Sequence, residues 1–127
     1  MSTPSTAAQL ILIAGPYRSG TGGDPARIAS NLARLEAAAL AVYQKGHVPV
    51  IGEWLALPLA HAAGSQQVGD AISEAFLYPV AHRLIVQCDA IYRISGESNG
   101  ADKDIEVAQR ARLNVYYSLD TIPQVSA

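Results

Sequence analysis

The sequence holds one cysteine, Cys88, in 127 residues. That excludes a disulfide framework and a multi-cysteine zinc site. A lone thiol beside Asp89, just ahead of an apolar run, reads as a buried structural group. Charge is also sparse: 16% of residues are Asp, Glu, Lys or Arg, and the net charge is −2. Without a basic face, long nucleic acid is not an expected partner. No apolar run reaches the roughly 18–20 residues that span a bilayer. The opening MSTPSTAAQ lacks the basic region and long apolar stretch of a signal peptide. His47, His61 and His82 have no metal-ligand spacing and read as surface or structural, so no metal site is expected. Together these absences describe a soluble, cytoplasmic protein that does not engage a membrane.

What is present is half hydrophobic, much of it alanine. The length fits one domain, able to bury about two thirds of its unfolded surface without a disulfide or metal. Residues 1–8 are small and polar and read as a flexible tail ahead of a single α/β domain over 9–127. Leu10 to Ala14 form a short apolar run ending at Gly15-Pro16, the mark of a strand buried on both faces. Asp24 suits a helix N-cap and Pro25 the first helical position. Ile28, Leu32, Leu35, Ala39 and Val42 then recur at helical spacing, with Lys45 in the last turn and Gly46 as the stop.

His47 to Ile51 predicts a second strand, placed near an edge by Pro49. Gly52 to Gln67 shows no clear period and predicts loop and short helical pieces. Its apolar Leu55–Leu59 stretch with Trp54 is expected to be core or a subunit interface. Val68 to Gln87 predicts a helix bent at Pro79. Ala90 to Ile94 predicts a third strand, Asp102 to Leu113 a helix, Asn114 to Tyr117 a fourth strand, and Asp120 onwards a loop. Strands alternating with helices predict a doubly wound, mainly parallel sheet, flavodoxin-like or Rossmann-like. Ligands bind such sheets beyond the strand carboxyl ends, at the switch in strand order. The loops Gly15–Gly23 and Ser95–Gly100 leave strands there and are expected to share one pocket.

The loop GPYRSGTGG is neither a Walker P-loop nor a dinucleotide fingerprint. Its backbone N–H groups, with Arg18, suit a phosphate or sugar, although Asp24 would repel a phosphate placed on the helix axis. The plainer reading is a flexible connection. Tyr17 either bonds a sugar or a catalytic carboxylate, or simply packs its ring. Asp102, Asp104 and Glu106 stand at a helix start, where the dipole alone favours acids. At about 100° per residue, Asp104 centres on the face of Val107, Ala108 and Ala111. Glu106 lies opposite, where Arg110 is its i,i+4 partner in a solvated ion pair. An aspartate on an apolar face wants a partner or a ligand. Asp104 is therefore the candidate for inward chemistry, and Asp102 for the cap.

Several stretches together resemble the nucleoside 2-deoxyribosyltransferase-like superfamily, in particular its small bacterial and phage members. They are Ala14-Gly15-Pro16-Tyr17, Lys45-Gly46-His47-Val48-Pro49-Val50, Cys88-Asp89-Ala90 and Ser98-x-Gly100-Ala101-x-x-Asp104. The resemblance runs over roughly residues 9 to 122. It implies a flavodoxin-like fold, a homodimer or higher homo-oligomer whose subunits complete each other's pocket, and no metal or other cofactor. It also implies hydrolysis or transfer at the N-glycosidic bond of a nucleoside or nucleoside monophosphate, through a carboxylate nucleophile. Counted from Ser98, the family's catalytic glutamate falls on Asp104, shorter by one methylene. Glu106 takes that role only in a helix that is rotated or begins later. Tyr17 matches the active-site tyrosine, and Gly15, Ser98 and Gly100 match loop positions near the sugar or phosphate. Arg18 makes a phosphorylated substrate fit better. Where relatives carry an acid for the departing base stands Ala81, with His82 beside it as a candidate proton donor. These two departures support an alternative: a non-catalytic module that binds a nucleotide or nucleotide sugar.

Overall fold

Short apolar runs that alternate with helical stripes build a sheet with helices on both faces. The computed structural model describes residues 7–125. In chain order the elements are β1 (Leu10–Ala14), α1 (Pro25–Gln44), β2 (Val48–Val50), α2 (Gly52–Ala62), α3 (Ala71–Ile85), β3 (Ala90–Arg93), α4 (Asn99–Arg110) and β4 (Asn114–Tyr116). A 3-10 turn, Leu119–Thr121, follows. The four strands are all parallel, in the order β2-β1-β3-β4, with Leu12 opposite both Val50 and Ile91. This is the doubly wound, flavodoxin-like arrangement, with its switch point between β1 and β3. Of the expected tail, only Ala7 and Ala8 fall within the described residues; both are exposed.

Alternation along β1 divides the core. Ile11 and Ile13 pack with Ile28, Leu35, Ala39 and Val42 of α1, together with Ala90, Ile94 and Ile122. Leu12 and Ala14 pack with Ile85, Cys88 and Ile91, and with Ala101, Ile105 and Ala108 of α4. Pleating makes a strand buried on both faces serve two layers. Cys88 is buried, and its thiol is pushed up to about 11 by burial and by Asp89, so it stays protonated and inert.

The first helix follows its sequence signals. The Asp24 side chain accepts a hydrogen bond from the Ala26 N–H, Pro25 opens α1, Lys45 is the C-cap, and Gly46 turns the chain at φ +96°. Pro49 lies on the edge strand, where a missing N–H is tolerated. Other boundaries move. Residues 52–62 form one continuous helix, α2. Ala56 and Ala60 face inward and Leu57 packs against the core under α1, while Trp54, Leu55 and Leu59 are exposed, so the Leu55–Leu59 stretch is core on one face only. The predicted 68–87 helix begins at Ala71, because Gly69 takes φ +96° and Asp70 caps it.

The last helix starts three residues earlier than its acids suggested. Ser98, not Asp102, is the N-cap of α4, accepting from the Ala101 N–H at 3.1 Å. Asp102 instead accepts a hydrogen bond from Arg93 at 3.0 Å. The buried face of α4 is Ala101, Ile105 and Ala108. Asp104 therefore flanks that face rather than centring on it.

Candidate active site

The loop after β1, the loop after β3 and the amino-terminal parts of α2 and α3 meet at the switch point. They enclose a cavity of about 180 Å³. Gly15, Tyr17, Arg18 and Ser19 line it from the first loop, Ser98 from the second, and Gly100, Ala101 and Asp104 from the start of α4. The two loops predicted to share a pocket do share it. Glu53 of α2 and Glu74, Leu77, Tyr78 and Ala81 of α3 complete the wall.

Gly15 is there because nothing larger fits. A Cβ would stand 2.4 Å from Ile94 Cγ1 and 3.2 Å from Leu35 Cδ2. Gly15→Ala should therefore cost about 1–3 kcal/mol through overpacking, read as a lower denaturant midpoint. An unchanged midpoint would refute this steric account.

Tyr17 is 7% exposed and joins the core under α1 while also lining the cavity. The Asn31 side-chain amide of α1 holds this turn by donating to the Tyr17 carbonyl at 2.8 Å. Burial, and next the charge of Glu53, raise the Tyr17 phenol, so it remains a donor at neutral pH. Asp104 is 15% exposed at its side chain. Burial pushes its carboxyl up to about 7, helped by the negative charge of Glu53 and opposed by Arg93. Glu53, partly buried, is likewise raised by burial. Both carboxyls face the one cavity, and the charge of Glu53 disfavours ionisation of Asp104.

His82 does not line the cavity. It stands on α3 with Nε2 3.6 Å from Asp104 Oδ1, and both atoms are buried without a hydrogen-bond partner. Its neighbour Ala81 reaches the wall instead, as the angular offset of adjacent helical residues requires. Glu106 is exposed and away from the cavity, and no ion pair joins it to Arg110. With α4 capped early by Ser98, the helix phase that would turn Glu106 inward does not occur. Ser98 and Gly100 both border the cavity, and Ser98 is buried.

Arg18 faces an ion-pair partner that sequence reading missed, the carboxylate of Glu74. Glu53 was missed as well. A carboxylate three residues beyond the end of a parallel strand, in the first turn of the next helix, was the available signal. Among the described residues, no group of three or more His, Cys, Asp or Glu is arranged to hold a metal ion, and no helix is long and apolar enough to cross a membrane. No protein-family model matches the chain, and no curated protein matches it.

Proposed function

We propose that the chain hydrolyses or transfers the N-glycosidic bond of a nucleoside, with Asp104 as nucleophile and Glu53 as the acid for the departing base. The observation that carries this reading is the pair of carboxylates facing one small cavity at the switch point, with Asp104 Oδ1 buried and unpartnered. Such burial is costly and is kept where chemistry uses it. At about 180 Å³ the cavity is smaller than the roughly 300–1,000 Å³ of drug-sized sites. It suits a sugar ring, with the base at its mouth.

An Asp104 oxygen attacks the anomeric carbon as the bond to the base nitrogen breaks. The electron pair leaves with the base, which takes the proton of Glu53. Water or a second base then attacks the same carbon, releases Asp104 and returns a proton to Glu53. This is the two-step logic of retaining glycosidases. Tyr17 orients the carboxylates, and Ser98 and Gly100 contact the sugar. Glu53 thus fills the task left vacant by Ala81.

Chromatographic detection of free base from a panel of nucleosides tests the scheme. Asp104→Ala should abolish release, and Glu53→Gln should lower it about 10²–10⁴-fold. The reactive form has Asp104 ionised and Glu53 protonated. Release should therefore rise as pH passes about 7, the value to which Asp104 is pushed, because only the ionised carboxylate attacks. Full activity in Asp104→Ala, or loss in Glu106→Ala instead, would overturn the assignment.

The Ala81 methyl in the cavity wall favours a second reading, a binding module without chemistry. It predicts a thermal shift with nucleosides and no base release. The exposed Trp54, Leu55 and Leu59 of α2 support a homo-oligomer.

A further inference from the structure

Four charged side chains line the cavity: the carboxylates of Glu53, Glu74 and Asp104, and the guanidinium of Arg18. Arg18 is the only cation among them, and it is already engaged. Glu74, in the first turn of α3, holds its Nη1 in an ion pair. From the other side Gly69 packs against the same group. A Cβ there would stand 2.7 Å from Arg18 Nη2 and 2.9 Å from Cζ.

The segment that presents Gly69 and Glu74 is itself tied down. The Asp70 carboxylate accepts from Ser73 N–H and Ser65 Oγ at 2.8 Å each, and from Gln66 N–H at 2.8 Å. The Gly69 N–H donates to Ser73 Oγ at 2.8 Å. Within the preceding loop, Thr21 Oγ1 donates to the Arg18 carbonyl at 2.6 Å and accepts from the Gly23 N–H. Arg18 is therefore held at Nη1 by Glu74 and packed by Gly69, both on a segment with its own hydrogen bonds, while its Nε is buried without a hydrogen-bond partner.

We infer that Glu74 is a specificity-determining residue: by occupying Arg18 it makes the cavity select uncharged nucleosides and reject their 5′-phosphates. This rests on the nucleoside reading above and sharpens it. A phosphate dianion brought to Arg18 would have to displace Glu74 and would still face Asp104 and Glu53. Like charges set face to face are a strong discriminator between otherwise similar ligands. A nucleoside brings hydroxyls, which can donate to those same carboxylates. The sequence-level expectation that Arg18 favours a phosphorylated substrate is thus reversed by the residue that faces it.

The test compares wild type and Glu74→Gln, a near-isosteric change at a partly exposed position. First, kcat/KM for base release is measured on matched nucleosides and 5′-monophosphates. Wild type should prefer the nucleoside by about tenfold or more, and Glu74→Gln should shift that ratio about tenfold towards the phosphate. Second, thermal stability is followed against inorganic phosphate, with no nucleoside present. Glu74→Gln should gain a stabilisation that wild type lacks, and adding Arg18→Ala should remove it. A wild-type preference for monophosphates would overturn the inference. So would a phosphate response equal in wild type and Glu74→Gln, or one that survives loss of Arg18. Absence of base release from every compound would sink the enzymatic reading alone. The phosphate titration would still decide whether Glu74 occupies Arg18.

Discussion

Asp104→Asn is expected to melt several degrees higher than the wild type at pH 8 while releasing no base. The Asp104 carboxyl has an ordinary value of 3.8 and is pushed up to about 7 in the folded protein. Below pH 4 it is protonated in both folded and unfolded chains and does not affect their balance. As pH rises from 4 to 7, the unfolded chain gives up this proton and the folded chain keeps it. The folded state loses about 1.4 kcal/mol per unit over that window, and the penalty is then constant above 7. The ceiling is roughly 4 kcal/mol, reduced by denatured-state structure and by the buried amide that Asn itself introduces. A gain of about 1–3 kcal/mol, or roughly 4–10 °C in a domain of this size, is the expected result. Near pH 4 the two proteins should melt together. Equal melting at both pH values would mean that Asp104 is not destabilised by its site.

Removing the His47 imidazole should have the opposite effect and a comparable size. His47 is 2% exposed, directly after the turn that ends α1. Its Nδ1 accepts from the Gln9 N–H at 3.0 Å, and its Nε2 lies 2.6 Å from the Pro123 carbonyl. One nitrogen must accept and the other donate, so the ring is neutral and carries its proton on Nε2. Next to it, Lys45 Nζ donates to the carbonyls of Leu119 and Ile122 at 2.8 Å each, and Val125 N–H donates to the Lys45 carbonyl. These bonds strap the C-terminal segment over the sheet and seat Ile122, 1% exposed, in the core under α1. His47→Ala leaves two polar groups without their partner and opens a void. It should cost about 2–4 kcal/mol, read as a lower denaturant midpoint with early proteolysis after Leu119. A cost below about 0.5 kcal/mol would place His47 among ordinary surface substitutions and refute the strap.

How far the fold was legible depends on how local its causes are. Leu10–Ala14 reads as a two-faced strand because an unbroken apolar run over five residues has few other uses. Asp24-Pro25 and Gly46 bracket α1 because capping and positive φ are properties of single residues. The doubly wound order follows from the alternation of such elements and the fixed hand of their crossovers. The start of α4 was less legible, since Ser98, Asn99 and Asp102 can all cap. Only the packing of Ala101, Ile105 and Ala108 on the sheet selects Ser98, and that choice turns Asp104 to the cavity and Glu106 to water.

The candidate site divides in the same way. The sequence alone singled out Asp104, through its place on a helix with an apolar face, and Tyr17, through its place at a strand end, while Ser98 entered only through the family resemblance. It also raised the expectation that the two loops after β1 and β3 meet, which holds because the structure pairs those parallel strands side by side and so brings their carboxyl ends together. Glu53 and Glu74 were beyond its reach. The stretch around Glu53 is so uniformly Ala and Leu that no helical face stands out, and Glu74 reads as an ordinary acid in a first helical turn. Only the tertiary structure set Glu53 beside Asp104 and Glu74 against Arg18. Charge and burial act through space, between groups that the chain separates by 51 and 56 residues, and no local pattern encodes such a distance.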